Sequence, residues 1–247
     1  MDQITLPPTK SKPYLLAAVI ISLGFIVSSS IGAWVFYRVK TFDNTLSVTG
    51  SATKDITSDT VKWSSSINRN VTAADLSNGY KQMAQDLAAV KDFFKQNGLS
   101  DDAYTVSPIF MNEVYKNNDN GPKEYTLRQT LTVHSNDVNK ITDISKNTQT
   151  LIDKGVMFST DSLEYYSSAI ASLRVSLLAE AIKDAKARAT ELAQSNNQSV
   201  GQLKDASSGV VQVLQPNSAD ISDYGSYDTS SIQKTVMVTV HATFTLR

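Results

Sequence analysis

The 247-residue chain has no cysteine and only two histidines, His134 and His241. The first absence excludes a disulfide scaffold, a thiolate zinc site, an iron–sulfur cluster and a cysteine nucleophile. The second leaves metal and triad chemistry short of imidazoles. Proline and glycine are sparse, at 6 and 10 residues, which excludes collagen-like and Pro/Gly-rich disordered chains. Neither sign of charge dominates, since the formal net charge is −1. Charge is missing altogether from the 24 residues 14–37. A helix of that length covers about 36 Å, enough to cross a hydrocarbon layer of about 30 Å with some tilt.

Tyr14, Trp34 and Tyr37 stand at the two ends of this run, and Lys10, Lys12, Arg38 and Lys40 flank it, the arrangement of a membrane span with interfacial aromatics. The alternative is a cleavable signal peptide ending at Ser28-Ser29-Ser30. The apolar character continues through Ile31, Trp34, Val35 and Phe36, so an uncleaved anchor contacting membrane lipid is the favoured reading, and both readings export the rest. The layout expected is a short cytoplasmic tail (1–13), a transmembrane anchor (14–37), a linker (38–44) and one extracytoplasmic domain (45–247), periplasmic or extracellular, with a flexible loop at 216–231. Lys10, Lys12, Arg38 and Lys40 against Asp2 and Asp43 leave the exported part about three charges negative, which disfavours nucleic acid as a partner.

Segments 45–51 and 61–71 read as strands, the second alternating Val61, Trp63, Ser65 and Ile67 with Lys62, Ser64, Ser66 and Asn68. Thr72-Ala73-Ala74-Asp75 has capping-box spacing before an amphipathic helix whose stripe is Leu76, Tyr80, Met83, Leu87, Val90 and Phe94, stopped by Asn97-Gly98. Strands at 104–115 and 124–134 form a hairpin around Asn117-Asn118-Asp119-Asn120-Gly121-Pro122, with Pro108 marking an edge or a bulge. Asn136 caps a second helix running to Lys154, with Gly155 as terminator. A strand at 156–165, a third helix over about 168–195 with Leu173, Leu177, Ala181, Ala185, Ala189 and Leu192 on one stripe, and a short strand at 210–214 follow. The polar stretch 216–231 holds no core residue to fix it. The closing strand 232–246 has the clearest period of two, Val236, Val238, Val240, Ala242, Phe244 and Leu246 against Thr235, Met237, Thr239, His241, Thr243 and Thr245, and belongs inside a sheet. The fold class expected is α+β: a mixed, largely antiparallel sheet with helices packed on one side, and a ferredoxin-like β-α-β-β-α-β core embedded among added strands.

Three segments together resemble the SIMPL-domain family of mostly bacterial envelope proteins. They are Leu46-Ser47-Val48-Thr49-Gly50-Ser51-Ala52 with Ser58-Asp59-Thr60-Val61; the Ala-rich helix from Leu173-Arg174 through Ala181-Ile182-Lys183-Asp184-Ala185-Lys186-Ala187-Arg188-Ala189 to Val200-Gly201-Gln202-Leu203; and the closing strand from Val236 to Phe244. Asn196-Asn197 stands where the family usually has Gly, and Asn also tolerates the left-handed region. The resemblance implies an exported α+β domain without a known catalytic site. It also implies relatives among channel-like oligomeric periplasmic antigens and proteins linked to oxidative-stress tolerance.

Candidate chemistry is thin. A metal shared by His134 and His241 lacks visible carboxylate partners. Asp101-Asp102 follows Gly98-Leu99-Ser100 and reads as loop, Ser64-Ser65-Ser66 has no base nearby in sequence, and Gly50-Ser51-Ala52 lacks the other glycines of a dinucleotide turn. No catalytic, cofactor or metal residues are therefore expected. The one segment with exposed aromatics beside carboxylates is Ser222–Asp228, so Asp223, Tyr224, Tyr227 and Asp228 are the candidate interaction residues. The expectation is a non-enzymatic, membrane-anchored envelope protein that self-assembles into a ring, cage or channel-like homo-oligomer. A monomeric or dimeric module that binds a peptide, glycan or lipid through the Tyr loop is the alternative.

Overall fold

The computed structural model describes residues 13–41, 44–115, 121–218 and 220–247. The expected tail up to residue 12, the centre of the linker at 42–43 and the turn residues 116–120 lie outside the described residues. Helix α1 spans Pro13–Thr41, so it runs through the first part of the expected linker. Its side chains from Tyr14 to Val39 are exposed. After it come β1 (Thr45–Thr57), β2 (Thr60–Thr72), α2 (Leu76–Gln96), β3 (Tyr104–Val106), β4 (Phe110–Val114), β5 (Glu124–Ser135), α3 (Val138–Lys146), α4 (Gln149–Asp153), β6 (Phe158–Tyr166), α5 (Ile170–Gln194), β7 (Val200–Ser208), β8 (Gln212–Leu214) and β9 (Gln233–Leu246).

The α+β class holds, with the strands divided between two sheets. One has the order β3-β5-β2-β6, with β4 also on β5. Its pairs are antiparallel, and the order is that of a ferredoxin-like β-α-β-β-α-β unit built from β2, α2, β3, β5, α3 and β6. The other has the order β1-β9-β7, with β8 also on β9. The chain passes from one sheet to the other at Ser58-Asp59, where the Ser58 N–H donates to the Ile232 carbonyl at 2.8 Å. Each sheet carries a core cluster of its own among the described residues. The larger surrounds Trp63, Ile67, Met83, Val90, Phe94, Leu127, Leu131, Val133, Ile141 and Leu151, and the smaller surrounds Leu177, Val213, Val236 and Val238. Fully buried Trp63 meets Phe94 at 5.5 Å and Phe158 at 5.9 Å between ring centroids.

Two compact units divide the chain: Met1–Val48, Lys186–Ala206 and Ala242–Arg247 form one, and Thr49–Ala185 with Ser207–His241 the other. Both named cores belong to the second unit. In the first, Ala189, Ala193, Ala242 and Phe244 are buried, the Leu246 N–H donates to the Asn44 carbonyl at 2.8 Å, and Ser199 and Arg247 exchange backbone bonds at 2.8 and 2.9 Å. Asn197 ends the α5 region with φ 55°, the left-handed conformation its side chain was expected to tolerate.

Several local expectations need correction. The Thr72 hydroxyl donates to Asp75 at 3.0 Å instead of capping a backbone N–H, and a 3₁₀ turn precedes α2. The buried face of α2 is Gly79, Met83, Asp86, Val90, Phe93 and Phe94. Tyr80 is turned outward, because Gly79 packs on Val71 and buried Asp86 pairs with Arg69. That guanidinium donates to both carboxylate oxygens at 2.6 and 2.8 Å and to the Gly155 carbonyl at 2.8 Å. The strand expected over 104–115 breaks at Ser107-Pro108-Ile109 into β3 and β4, as proline demands at an edge. Ser107 bridges the break by accepting the Thr130 N–H at 2.9 Å.

The second helix is two, α3 and α4, and its cap is Asp137 rather than Asn136: the Asp137 carboxylate accepts the Lys140 N–H at 3.0 Å. Asp137→Ala should lower the unfolding free energy by about 1 kcal/mol, read from a shifted urea midpoint at unchanged slope.

Candidate functional site: the Tyr224 loop and its groove

The segment after β8 looks unanchored in sequence, yet it is tied at several points. Backbone bonds join Val213 N–H to Ser226 O at 2.7 Å, Asp228 N–H to Val213 O at 2.8 Å and Tyr165 N–H to Thr229 O at 2.8 Å. The Gln212 amide donates to Ser222 O at 2.5 Å. Gly225, at φ 89°, makes the tight return that a side chain would strain.

The main fixing point is Asp228. Its Oδ1 accepts from the Ser230 N–H at 2.9 Å and hydroxyl at 2.6 Å; its Oδ2 takes the Ser231 N–H at 3.2 Å, the Ser231 hydroxyl, and the Lys234 ammonium at 3.3 Å. Lys234 Nζ also donates to the Asp228 carbonyl at 2.6 Å. The Lys234 side chain is 0% exposed. Desolvation pushes the Asp228 carboxyl up, but the Ser230 and Ser231 hydrogen bonds and the Lys234 charge outweigh it and hold the group far below the usual carboxylate range. Desolvation likewise lowers Lys234, against the pull of Asp228. The reading of 216–231 as a stretch with nothing to hold it missed this buried ion pair. Its sequence signal was present: Lys234 has the same parity as Val236, Val238 and Val240, so the period of two places it on the core face.

The four candidate residues therefore separate. Tyr224, 97% exposed, and Tyr227, half exposed with its ring 6.0 Å from that of Tyr166, line one groove of about 630 Å³. Asp228 points inward to Lys234, and Asp223 is exposed beside the groove without lining it. The opposite wall is the start of α5, with Ser167, Ser168 and Arg174; no sequence motif marks these. Asp59 holds that wall by accepting the Ser168 N–H and hydroxyl, and those bonds lower its carboxyl. Tyr166 donates to Glu164, and that bond with burial raises the phenol to about 12. The groove thus offers phenol rings, hydroxyls and one guanidinium, which is recognition chemistry for a polar ligand with an apolar face.

The other singled-out residues lie apart. His134 faces Lys62 across β5 and β2, and the His241 Nδ1 is 2.8 Å from the Thr49 hydroxyl in the other sheet. Asp101 accepts the Tyr104 hydroxyl at 2.7 Å; burial first, and then this bond, push that phenol up to about 12. Ser65 and Ser66 are buried. The Ser66 hydroxyl donates to Asp161 at 3.0 Å, and Asp161 also accepts from Arg128 at 2.7 Å. Gly50 is a packing position: a Cβ there would lie 2.2 Å from the Ala181 carbonyl oxygen.

A two-sheet α+β domain, an apolar helix before it and a tyrosine-lined groove define the class structurally. Residues 46–244 match the model of SIMPL, a protein family of unknown function (DUF541), and the chain belongs to that family. A comparison with curated proteins finds no significant match. Ahead of the domain, residues Tyr14–Val39 are long and apolar enough to cross a membrane, as an anchor or a signal sequence would be.

Proposed function

We propose that this is a non-enzymatic, membrane-anchored envelope protein whose SIMPL domain self-associates into a closed homo-oligomer. The observation that carries the reading is β4. It pairs with β5, and among the described residues no strand covers its other edge. Phe110, Met111 and Val114 on it, and Tyr115 just after it, are exposed. An apolar edge of unpaired N–H and C=O groups is a template for pairing with another chain, and repetition of one contact closes a ring. α1 serves as an uncleaved anchor with the domain on the far side of the membrane. The carboxylates turned into the domain are taken up by structural partners, Asp86 by Arg69 and Asp228 by Lys234, which supports a scaffold over acid–base chemistry. A part in tolerance of envelope or oxidative stress rests on the family resemblance alone.

Mass photometry of the detergent-solubilised full chain tests this. The wild type should give a discrete multimer at sub-micromolar concentration. Met111→Lys/Val114→Lys, which places gatekeeper charges on the edge, should shift it to smaller species. A strictly monomeric wild type overturns the reading.

The groove supports a second reading, a binding module for a peptide, glycan or lipid. Tyr224→Ser and Arg174→Ala leave the Asp228–Lys234 lock intact. They should abolish ligand retention on glycan, peptide and lipid arrays if this reading holds, and leave the multimer unchanged if the first does.

A further inference from the structure

We infer that the end of the domain where α5 turns into β7 is seated in the phospholipid headgroup layer, with the Ser195–Ser199 turn, Leu192 and Arg247 as its lipid-facing groups. This rests on α1 being retained as an anchor. The argument is one of reach. α1 ends at Thr41, and the domain is already hydrogen-bonded at Asn44, whose carbonyl accepts the Leu246 N–H. Three Cα–Cα steps of 3.8 Å allow at most about 11 Å between those points. The headgroup region on one side of a bilayer is about 5–8 Å deep, so the tether is no longer than that layer plus a few ångströms.

What lies at the tethered end follows from the backbone pairing. Asn44 pairs with Leu246, the next residue, Arg247, pairs with Ser199, and Ser199 closes the turn that leaves α5. Every member belongs to the same compact unit as α1. Ser195, Asn196, Asn197 and Ser199 are exposed amides and hydroxyls, Arg247 is an exposed cation, and Leu192 is an exposed apolar side chain one turn back along the helix. Hydroxyls and amides suit ester carbonyls and phosphate oxygens, a guanidinium suits phosphate, and an isolated leucine suits the acyl boundary. Leu192 is 54% exposed, and a headgroup layer at that distance gives its exposed part an apolar boundary to meet.

The cysteine-free chain makes the test direct, because each introduced cysteine is unique. Full-length Ser195→Cys, Leu192→Cys and Lys186→Cys proteins, all changed at exposed positions, are labelled with bimane and reconstituted into phosphatidylcholine/phosphatidylglycerol vesicles carrying a headgroup nitroxide lipid. Lys186 lies nine residues before Ser195, about 13 Å along the helix. Emission should fall about twofold or more at positions 195 and 192 and much less at 186, because contact quenching by a nitroxide falls off steeply with distance. Equal, weak quenching at all three positions overturns the inference. Intact mass of the protein recovered from membranes separates the two failures: a chain shortened near Ser30 disproves the anchor, and a full-length chain without quenching at 195 disproves only the seating.

Discussion

Gly50→Val should fail to give a folded domain: soluble yield collapses, and any protein recovered lacks the cooperative unfolding transition of the wild type. The reason is backbone against backbone. A Cβ at position 50 would lie 2.2 Å from the Ala181 carbonyl oxygen, 2.4 Å from the Ala185 nitrogen and 2.7 Å from the Ala185 Cβ. None of these is a flexible side chain that can swing aside, so β1 or α5 must move bodily. The approach is close because Ala181 and Ala185 are fully buried and add almost no volume. Between them, the Asp184 carboxylate accepts the Ser51 N–H at 2.9 Å, a bond that any separation also breaks. Overpacking in a core costs about 1–3 kcal/mol when side chains can adjust. Here they cannot, and a domain with about 5–15 kcal/mol of total stability loses a large share of it. Gly50→Ala should be nearly as damaging, because the clash is with the Cβ itself; a wild-type melting temperature for that variant would disprove the account.

Breaking the buried pair should produce the second large effect. Asp228→Ala leaves the fully buried Lys234 ammonium with only the residue 228 carbonyl, and removing one partner of such a pair costs about 3–5 kcal/mol. Lys234→Met in the same background removes the stranded charge and should recover much of that loss. If the double variant is no more stable than Asp228→Ala, the pair is not coupled as described.

The same group sets an acid limb. The native Asp228 carboxyl lies below its unfolded value of 3.8, so its contribution is full above about pH 5 and declines as pH falls through and below that value. Wild type should therefore lose stability from about pH 4 downward, and Asp228→Asn should show a shallower acid limb. Equal slopes for the two proteins in pH-dependent urea titrations would contradict this.

The parts of this fold that announce themselves in sequence are those with one wet and one dry face. β9 alternates because its even-numbered side chains enter the core, and the ferredoxin-like order emerges because β2, α2, β5 and α3 each carry a periodic stripe. β7 carries none. Along Val200–Ser208 the side chains range from half-exposed to fully exposed, so burial imposed no pattern and the strand went unread. The split into two sheets was hidden for another reason, since the Ser58-Asp59 turn looks like any hairpin turn and only the pairing of its two strands distinguishes them. In the groove, Tyr224 was legible as an exposed aromatic. Arg174 was not, because it contributes through α5 from 50 residues away in sequence. Lys234 was legible in principle, but a lysine in register with core valines contradicts composition-based expectation, and only its partner six residues earlier makes the position tenable.

The pairing of β1 with β9 also fixes an order of events. Ser47 meets Thr243 at 2.8 Å and Thr49 meets His241 at 2.8 Å, 196 and 192 positions apart, so the strand that follows α1 closes against residues made long after it. At about 5–20 residues per second, ribosomal synthesis alone separates the two strands by roughly 10–40 s. The β2–β6 sheet has every partner it needs well before then. β1 meanwhile waits as an unpaired strand. The sheet that joins β1 to β9 therefore cannot close until the last strand of the domain has been made.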